Sequence, residues 1–426
     1  MYLLYSITLG ILALVALPYW LFKGIRERKY FSNLWHRLGL SLTKEASGPK
    51  PVWIHAVSVG EVLAAKPLVH ALQAVRPDLP LVVSTVTLTG QAVARKEFAS
   101  PAMVLYFPFD WDFSVNRFLR LIRPRAVVLL ETELWPNFLR NCARQAVPVL
   151  LANGRISDRS FPRYHRFLWI TRAMIRNLAR IGAQTVKDAQ RFLQLGAGSD
   201  QVTVTGNMKF DLPVPPVKED DPVLQLVRSR LRLEPGTPVI VIGSSMKGEE
   251  SLFIDCYRQV RHAIPTAKLV LAPRHPERFD EVAKMVSGSG FSYDRRSRPG
   301  TALPLAADVL VLDSIGELRR IYSLASIAVI GGSFLPFGGH NPLEPAGLGK
   351  AIIFGPEMRN FREIASLFLE RGAARQCSLH SLAEVVVELL DDKSIQSGLG
   401  ERALEVFKQN QGATENTLRL LLPYLD

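Results

Sequence analysis

Two carboxylates stand where apolar, β-forming runs give way to turns. Glu61 follows Val52-Trp-Ile-His-Ala-Val57 and the small-residue turn Ser58-Val-Gly60, and Val62, Ala65, Val69 and Leu72 then repeat at helical spacing. It therefore falls in the first turn of a predicted helix, with Pro67 inside it to delay its start or kink it. A helix N-terminus carries unpaired N–H groups and partial positive charge, so a carboxylate there is held ionised. One reading is a Glu that only complements the dipole. The other is a general base at the carboxyl end of a parallel strand, where open α/β sheets place their ligands. The dipole that keeps Glu61 ionised also weakens it as a base, which leaves burial to offset the loss. Glu131, in Leu130-Glu-Thr-Glu-Leu-Trp-Pro-Asn137, follows another buried run. In a parallel sheet it lies in the same layer as Glu61, where the two could divide acid/base and orienting roles, or be unrelated strand-end residues.

Candidate anion-binding groups follow. Gly206-Asn-Met-Lys-Phe-Asp211 is a polar turn whose Lys209 could meet a leaving phosphate or simply be a solvated lysine. Leu271-Ala-Pro-Arg-His-Pro-Glu-Arg278 leaves a strand with Arg274 stiffened between prolines, suited to bidentate contact with an anion. Gly243-Ser-Ser-Met-Lys-Gly-Glu-Glu250 joins a strand to a helix and could hold a phosphate or carboxylate, but lacks the Walker pattern. The stretch Gly331 to Pro345, GGSFLPFGGHNPLEP, is the richest. Its glycines let backbone amides approach a phosphate, while Asn341 and Glu344 flank Pro342-Leu343 and Glu344 could accept hydrogen bonds from a ribose. Asp110-Trp-Asp112 has the D-x-D form that holds a metal in some sugar transferases, but reads better as a turn and helix cap. No metal site is expected.

The elements that must position these groups alternate. Strands are predicted at Val52–Val57, Leu81–Thr85, Met103–Phe107, Ala126–Leu130, Val147–Leu151, Arg180–Ala183 and Val202–Val204, with helices between. Several are continuous apolar runs, the mark of parallel strands buried on both faces. Thr205 to Pro222 is rich in proline and acid and reads as a linker. A second series follows: Val239–Gly243, Lys268–Ala272, Val309–Leu312, Ile327–Ile330 and Ala351–Phe354, then a helical stretch at Ile395–Leu421. The expectation is an α/β chain of two Rossmann-like, doubly wound domains facing a central cleft. The expected divisions are 1–22 (anchor), 23–50 (basic connecting segment), 51–206 (first domain), 207–222 (linker) and 223–426 (second domain, its final helix packing back toward the first).

Composition narrows the partners. The 426 residues carry a net charge of +13, which calls for an anionic partner: nucleic acid, membrane surface or phosphorylated substrate. Three cysteines without C-x-x-C spacing argue for a reducing compartment and against disulfide or zinc frameworks. Tyr2 to Phe22 contains no charged residue and is long enough to span a bilayer, with Lys23, Arg26, Arg28 and Lys29 directly after it. That order fits an uncleaved anchor with a cytoplasmic body, as a span or a helix lying at the interface, rather than a cleaved signal. Arginines recur at 155, 159, 163, 166, 172, 176 and 180, as a solvated face or one turned to lipid phosphates. No nucleic-acid-binding module is recognisable.

Taken in order, HAVSVGE (55–61), ETELWPN (131–137), NGRIS (153–157), TGNMKFD (205–211), APRHPERF (272–279) and GGHNPLEP (338–345) give a close resemblance. It is to the 3-deoxy-D-manno-octulosonic acid (Kdo) transferases of lipopolysaccharide assembly, GT-B glycosyltransferases, and it runs from the anchor to near the C-terminus. The resemblance implies inverting transfer of Kdo from CMP-Kdo to the tetraacylated lipid A precursor, lipid IVA, at the cytoplasmic side of a bacterial inner membrane, with no cofactor and no metal. It implies Glu61 as general base, and Glu131 and Lys209 in transition-state stabilisation. It places CMP on Pro273, Arg274, Ser314, Ile315, Gly316, Asn341, Pro342, Leu343 and Glu344. The chain departs from the family pattern at Met246, where a His is usual, and slightly at DSIGEL (313–318). The competing readings are another nucleotide-sugar enzyme on the same fold, epimerase-like or using a different lipid acceptor, and a non-catalytic binder of anionic surfaces.

Overall fold

The computed structural model describes the chain except Met1, 27–28, 42–47, 99–101, 213–217, 219, 299–306 and Asp426, and gives the backbone alone for 17–26 and 29–32. The chain divides into two compact units, Met1–Pro213 with Asn410–Asp426, and Val214–Gln409.

The sheet of unit 1 contains, among the described residues, β1 (Val52–His55), β2 (Leu81–Thr85), β3 (Ala102–Tyr106), β4 (Ala126–Leu130), β5 (Val149–Gly154), β6 (Arg180–Ala183) and β7 (Val202–Val204). The order is β3-β2-β1-β4-β5-β6-β7, with every pairing parallel. The central strands β1, β2 and β4 are buried throughout, which is why they read as unbroken apolar runs. The chain reverses direction across the sheet between β1 and β4, where Val52 pairs with Ala126 and His55 with Leu129. Such a switch point opens a crevice at the carboxyl ends of its two strands, and those strands lead to Glu61 and Glu131.

Unit 2 repeats the plan with β8 (Val239–Ser245), β9 (Lys268–Pro273), β10 (Tyr293–Arg295), β11 (Val309–Val311), β12 (Ile327–Ile330), β13 (Ala351–Phe354) and β14 (Arg375–Gln376). The order is β10-β11-β9-β8-β12-β13-β14, again parallel, so the switch point lies between β8 and β12. The edge strands β10 and β14 carry Asp294, Arg295, Arg375 and Gln376 and have no apolar run to announce them. The expected helical stretch Ile395–Leu421 breaks at Gly412, whose φ is +99°, into Lys393–Gln409 in unit 2 and Ala413–Leu421 in unit 1. Leu418 and Leu421 enter the core formed with Val62, Leu68 and Val69 of the Val59–Val75 helix. Each such aliphatic side chain removed from water contributes about 1.5–3 kcal/mol. The Val59–Val75 helix itself begins at Val59 and continues through Pro67.

The first helix runs from Tyr2 to Arg26, yet among the described residues no helix is long and apolar enough to cross a membrane. Its start is docked on unit 1. Asn177 Nδ2 donates to Tyr2 Oη at 3.3 Å, Asn137 Nδ2 to Ser6 Oγ at 3.0 Å, and the Arg140 guanidinium lies 4.4 Å from the Tyr2 ring centroid. The expected span therefore begins against protein. Leu3, Leu4, Ile7, Ile11, Leu12, Leu14 and Val15 are exposed instead. The side chains of the rest of the anchor, and of the basic segment as far as Ser32, lie outside the described residues, as do 213–217 and 219 of the 207–222 linker.

Candidate active site

In unit 1 the carboxyl ends of β1, β4 and β5 and the turn Met208–Asp211 supply the polar groups. Glu61 is 9% exposed. Its carboxylate folds back over the helix start, Oε2 accepting from Val57 N at 2.8 Å and Oε1 from Ser58 Oγ at 2.9 Å, much as in a capping box. These bonds and the dipole favour the anion, but burial and the nearby charge of Glu131 outweigh them. The Glu61 carboxyl is pushed up from 4.5 to about 7. Burial is thus what offsets the weakening of Glu61 as a base by the dipole.

Glu131 takes a positive φ of 57°, a strained position for a side-chain-bearing residue, and its N–H donates to Ala152 O at 2.9 Å. Lys209 Nζ donates to Glu131 Oε1 at 3.0 Å. Every residue of the lysine's turn has a role in presenting it. Asn207 Oδ1 accepts from Lys209 N at 3.0 Å, and Met208 is buried with its N–H on Asn153 Oδ1 at 3.0 Å. Phe210 is buried, and Asp211 accepts from Gly412 N and Thr414 N, capping the final helix. Lys209 is thus fixed to unit 1, not a free linker lysine.

Sequence reasoning missed Glu133 as a separate carboxylate. It accepts from Trp135 Nε1 at 2.9 Å, and burial together with Glu131 raises its proton affinity. The alternation Glu-Thr-Glu was the available signal. Neither Asp110 nor Asp112 caps its own helix, whose N-cap is Trp111 with no side-chain bond; both are committed instead to the neighbouring helix Pro136–Arg144. Asp110 accepts from Asn137 N and Phe138 N at 3.0 and 2.7 Å, while Asp112 pairs with Arg140 and Asn141. Asp110 is therefore a cap, but of another helix than the one that D-x-D opens.

In unit 2 the glycine-rich stretch differs from expectation. Gly332 N and Phe334 N donate to the Glu249 carboxylate at 2.7 and 3.1 Å, Gly331 N to Gly243 O at 2.8 Å, and Gly339 N to Gly332 O at 2.7 Å. Those amides hold the loop, not a phosphate. The glycines are needed for space: a Cβ at Gly331 would lie 2.5 Å from Ser244 O, and one at Gly339, where φ is +74°, 2.4 Å from Met358 Sδ. The two carboxylates of GSSMKGEE also turn inward. Glu250 is fully buried and takes Arg278 Nη1 at 2.6 Å and Nη2 at 3.2 Å.

The ligand-facing set is therefore smaller. Pro273 ends β9, and Arg274, exposed, follows it with its N–H on Ser245 O at 3.0 Å. Asn341 Oδ1 accepts from Leu343 N at 3.0 Å, while the Asn341 side chain also bonds the Glu344 carboxylate. Glu344 has its proton affinity raised by burial, opposed by Arg319, Asn341 and Arg274. Pro342 and Leu343 are buried beneath. Ser314 is held by Glu317, which Arg296 grips twice at 2.9 Å, leaving Ile315 74% exposed and Gly316 at φ +84°. Burial and the charges of Arg274 and His275 push His340 down to about 4, so it is neutral at pH 7. A Cβ on Gly332 would lie 2.8 Å from His340 Cδ2 and 3.4 Å from Met246 Cγ, so imidazole and thioether share one wall there.

Residues 32–212 match the family model described as 3-deoxy-D-manno-octulosonic-acid transferase (kdotransferase). The 3-deoxy-D-manno-octulosonic acid transferase of Haemophilus influenzae is 34% identical over 407 residues, covering 95% of this chain and 94% of that one. The enzyme of the same name from Bordetella pertussis is 34% identical over 390 residues, 88% and 87% of the two chains. Among solved structures, UDP-GlcNAc 2-epimerase from Neisseria meningitidis bound to UDP-GlcNAc superposes with a TM-score of 0.59 at 14% identity, over 88% of this chain and 100% of that one. That likeness shows the fold alone, a GT-B-like pair of α/β units.

Proposed function

The chain belongs to the 3-deoxy-D-manno-octulosonic acid transferase family, and from that premise we propose how its own residues carry out transfer from CMP-Kdo to a lipid A precursor. It is a glycosyltransferase of lipopolysaccharide biosynthesis. The observation that carries the mechanistic reading is the raised proton affinity of Glu61 beside Glu131 at the switch point of the first sheet.

The acceptor hydroxyl oxygen attacks the anomeric carbon of Kdo. Its proton passes to the Glu61 carboxylate. The bond from that carbon to the phosphate oxygen breaks, and its electron pair leaves with CMP, inverting the sugar carbon. A base whose proton affinity is matched to neutral pH suits this step better than an ordinary carboxylate. Lys209 has three N–H donors, and one is directed at Glu131. The remainder serve the negative charge that develops on the departing phosphate, with Glu131 fixing the ammonium in place. In unit 2, Arg274 suits the phosphate, Glu344 the ribose hydroxyls, and the Ser314-Ile315-Gly316 backbone the base, with Pro273, Asn341, Pro342 and Leu343 shaping the site.

We read the acceptor as the anionic lipid A precursor at a membrane surface. The exposed apolar stripe of the first helix supports a helix lying at the interface. The helices Phe161–Arg166 and Leu168–Ile175 add exposed Phe167 and Trp169 among Arg163, Arg166, Arg172 and Arg176, with no acidic residue from Arg159 to Lys187. Aromatic and cationic residues together suit anionic headgroups. A cytoplasmic-side location follows from this reading.

The test is reaction of the purified protein with CMP-Kdo and the tetraacylated precursor, with products weighed by mass spectrometry. The expected result is a lipid heavier by whole Kdo units together with CMP, and the mass also counts the units added. Loss of CMP-Kdo without any lipid product overturns the reading.

A further inference from the structure

Unit 2 contains a cation that neither the motifs nor the family resemblance assigns to the site. Arg319 and Arg320 are neighbours on the short helix Leu318–Ile321. Arg320 points outward and meets Asp221 at 3.3 Å. Arg319 is turned inward and half-buried, and its Nε is enclosed without a hydrogen-bond partner. The carboxylate whose charge acts on it is Glu344, without a hydrogen bond or ion pair between the two. The turn Tyr322–Leu324, which continues the arginine's helix, packs on Leu343–Ala346, which carries Glu344. Buried Tyr322 also feels the charge of Glu344, Asn341 bonds the carboxylate from its own turn, and the charge of Arg274 acts on it too.

A ribose diol offers two O–H donors. A carboxylate accepts both only when ionised, since its neutral form turns one oxygen into a competing donor. Burial drives a carboxyl toward that neutral form. A guanidinium set behind it opposes the drift and cannot itself release its proton. An enclosed, unpartnered Nε on a helix whose continuation packs against the carboxylate's own turn is placed for such a task.

We propose that Arg319 is a positioning residue of the donor site: it keeps the Glu344 carboxylate ionised and turned toward the ribose diol, and so sets a preference for a ribonucleotide over its deoxy counterpart. This rests on the donor-site reading above.

The experiment measures binding of CMP and of 2′-deoxy-CMP to the full-length protein in detergent by calorimetry. The variants are Arg319→Met, Arg319→Lys, Glu344→Gln and the double variant Arg319→Met/Glu344→Gln, each checked for an unchanged melting profile. Arg319→Met is expected to weaken CMP binding by about tenfold, the size of one hydrogen bond to a charged group, while 2′-deoxy-CMP loses less. Arg319→Lys recovers part of the discrimination, and in the Glu344→Gln background the Arg319→Met change has no further effect. A wild-type protein that prefers CMP beside an Arg319→Met variant of unchanged affinity, or one weakened equally for both nucleotides, overturns the assignment of Arg319 alone. A wild-type protein that binds neither nucleotide overturns the donor-site reading, and this assignment with it.

Discussion

Lys209 and Glu131 are 78 positions apart in the chain, yet Lys209 Nζ lies 3.0 Å from Glu131 Oε1. The pair joins the end of β4 to the turn Met208–Asp211. With side-chain exposures of 17% and 25%, neither charge is fully solvated, so removing one leaves the other poorly compensated.

Replacing Lys209 by Met is therefore expected to lower kcat by about 10²–10³-fold, the range seen when one transition-state donor is removed. Glu131→Gln is expected to fall in the same range, and the double variant to be no worse than the poorer single one. Steady-state kinetics on the three proteins checks this, and independent, multiplying losses would show that the two residues do not act as a unit.

Glu61 makes a pH prediction with two signs. Catalysis needs the anion, so kcat/KM should rise with pH and level off above about 7, the value to which burial and Glu131 push the carboxyl. Glu131→Gln removes a like charge and should move that limb to lower pH. Stability runs the other way. The folded state binds the Glu61 proton more tightly than the unfolded chain does, so wild-type stability falls as pH rises from 4.5 to about 7. Glu61→Gln should escape that loss, gaining about 1–2 kcal/mol on wild type at pH 8 compared with pH 4 while retaining CMP binding and losing transfer. Parallel thermal melts at the two pH values measure the difference.

Asp211 caps the helix Ala413–Leu421 through Gly412 N and Thr414 N, two residues after Lys209 in the same turn. Asp211→Ala should cost about 0.5–2 kcal/mol, as loss of an N-cap does, and should loosen the lysine's turn. Chemical denaturation gives the first effect. A fall in kcat larger than the change in KM gives the second.

Gly339 is predicted to tolerate no side chain. With φ at +74° and Met358 Sδ 2.4 Å from where a Cβ would sit, Gly339→Ala should disturb the turn leading to Asn341 and Glu344. CMP affinity should drop while the circular dichroism of unit 1 elements persists. Unchanged CMP affinity would separate this glycine from the donor site.

Membrane contact is predicted to be both apolar and ionic. Trp169→Ser with Phe167→Ser should reduce co-sedimentation with vesicles rich in anionic phospholipid, and raised salt should weaken the residual binding because surface charge is screened within about 10 Å at 0.1 M. Equal binding to neutral and anionic vesicles would contradict the role given to the arginines.

The strands were legible because a strand buried on both faces must be apolar along its whole length. β2, β4, β12 and β13, buried along their whole length, have the same ends in the sequence reading and in the structure, as do β6 and the exposed edge strand β7, read from Val202 and Val204. The polar edge strands β10 and β14 were not, because an edge needs no such run. The motif residues Glu61, Glu131, Lys209, Arg274, Asn341 and Glu344 were all visible in the sequence as polar groups at strand ends, since backbone reversal there leaves side chains free for ligands. What the one-dimensional chain could not carry was each group's environment. Glu61 at a helix start reads as a stabilised anion, and only the packing around it, with Glu131 brought across the switch point, raises its proton affinity. In the glycine stretch that read as a phosphate cradle, the amides of Gly332 and Phe334 go to Glu249, and those of Gly331 and Gly339 to backbone carbonyls. Arg319 and Arg320 are indistinguishable as letters, and the rotation of about 100° per residue along a helix sends one to solvent and the other to Glu344. The sequence by itself determined the strands, their order of appearance and the polar residues at their ends, because those follow from local apolar pattern and turn chemistry. The tertiary structure alone decided which charges meet and how strongly each holds its proton, because both depend on distance and burial between residues far apart in the chain.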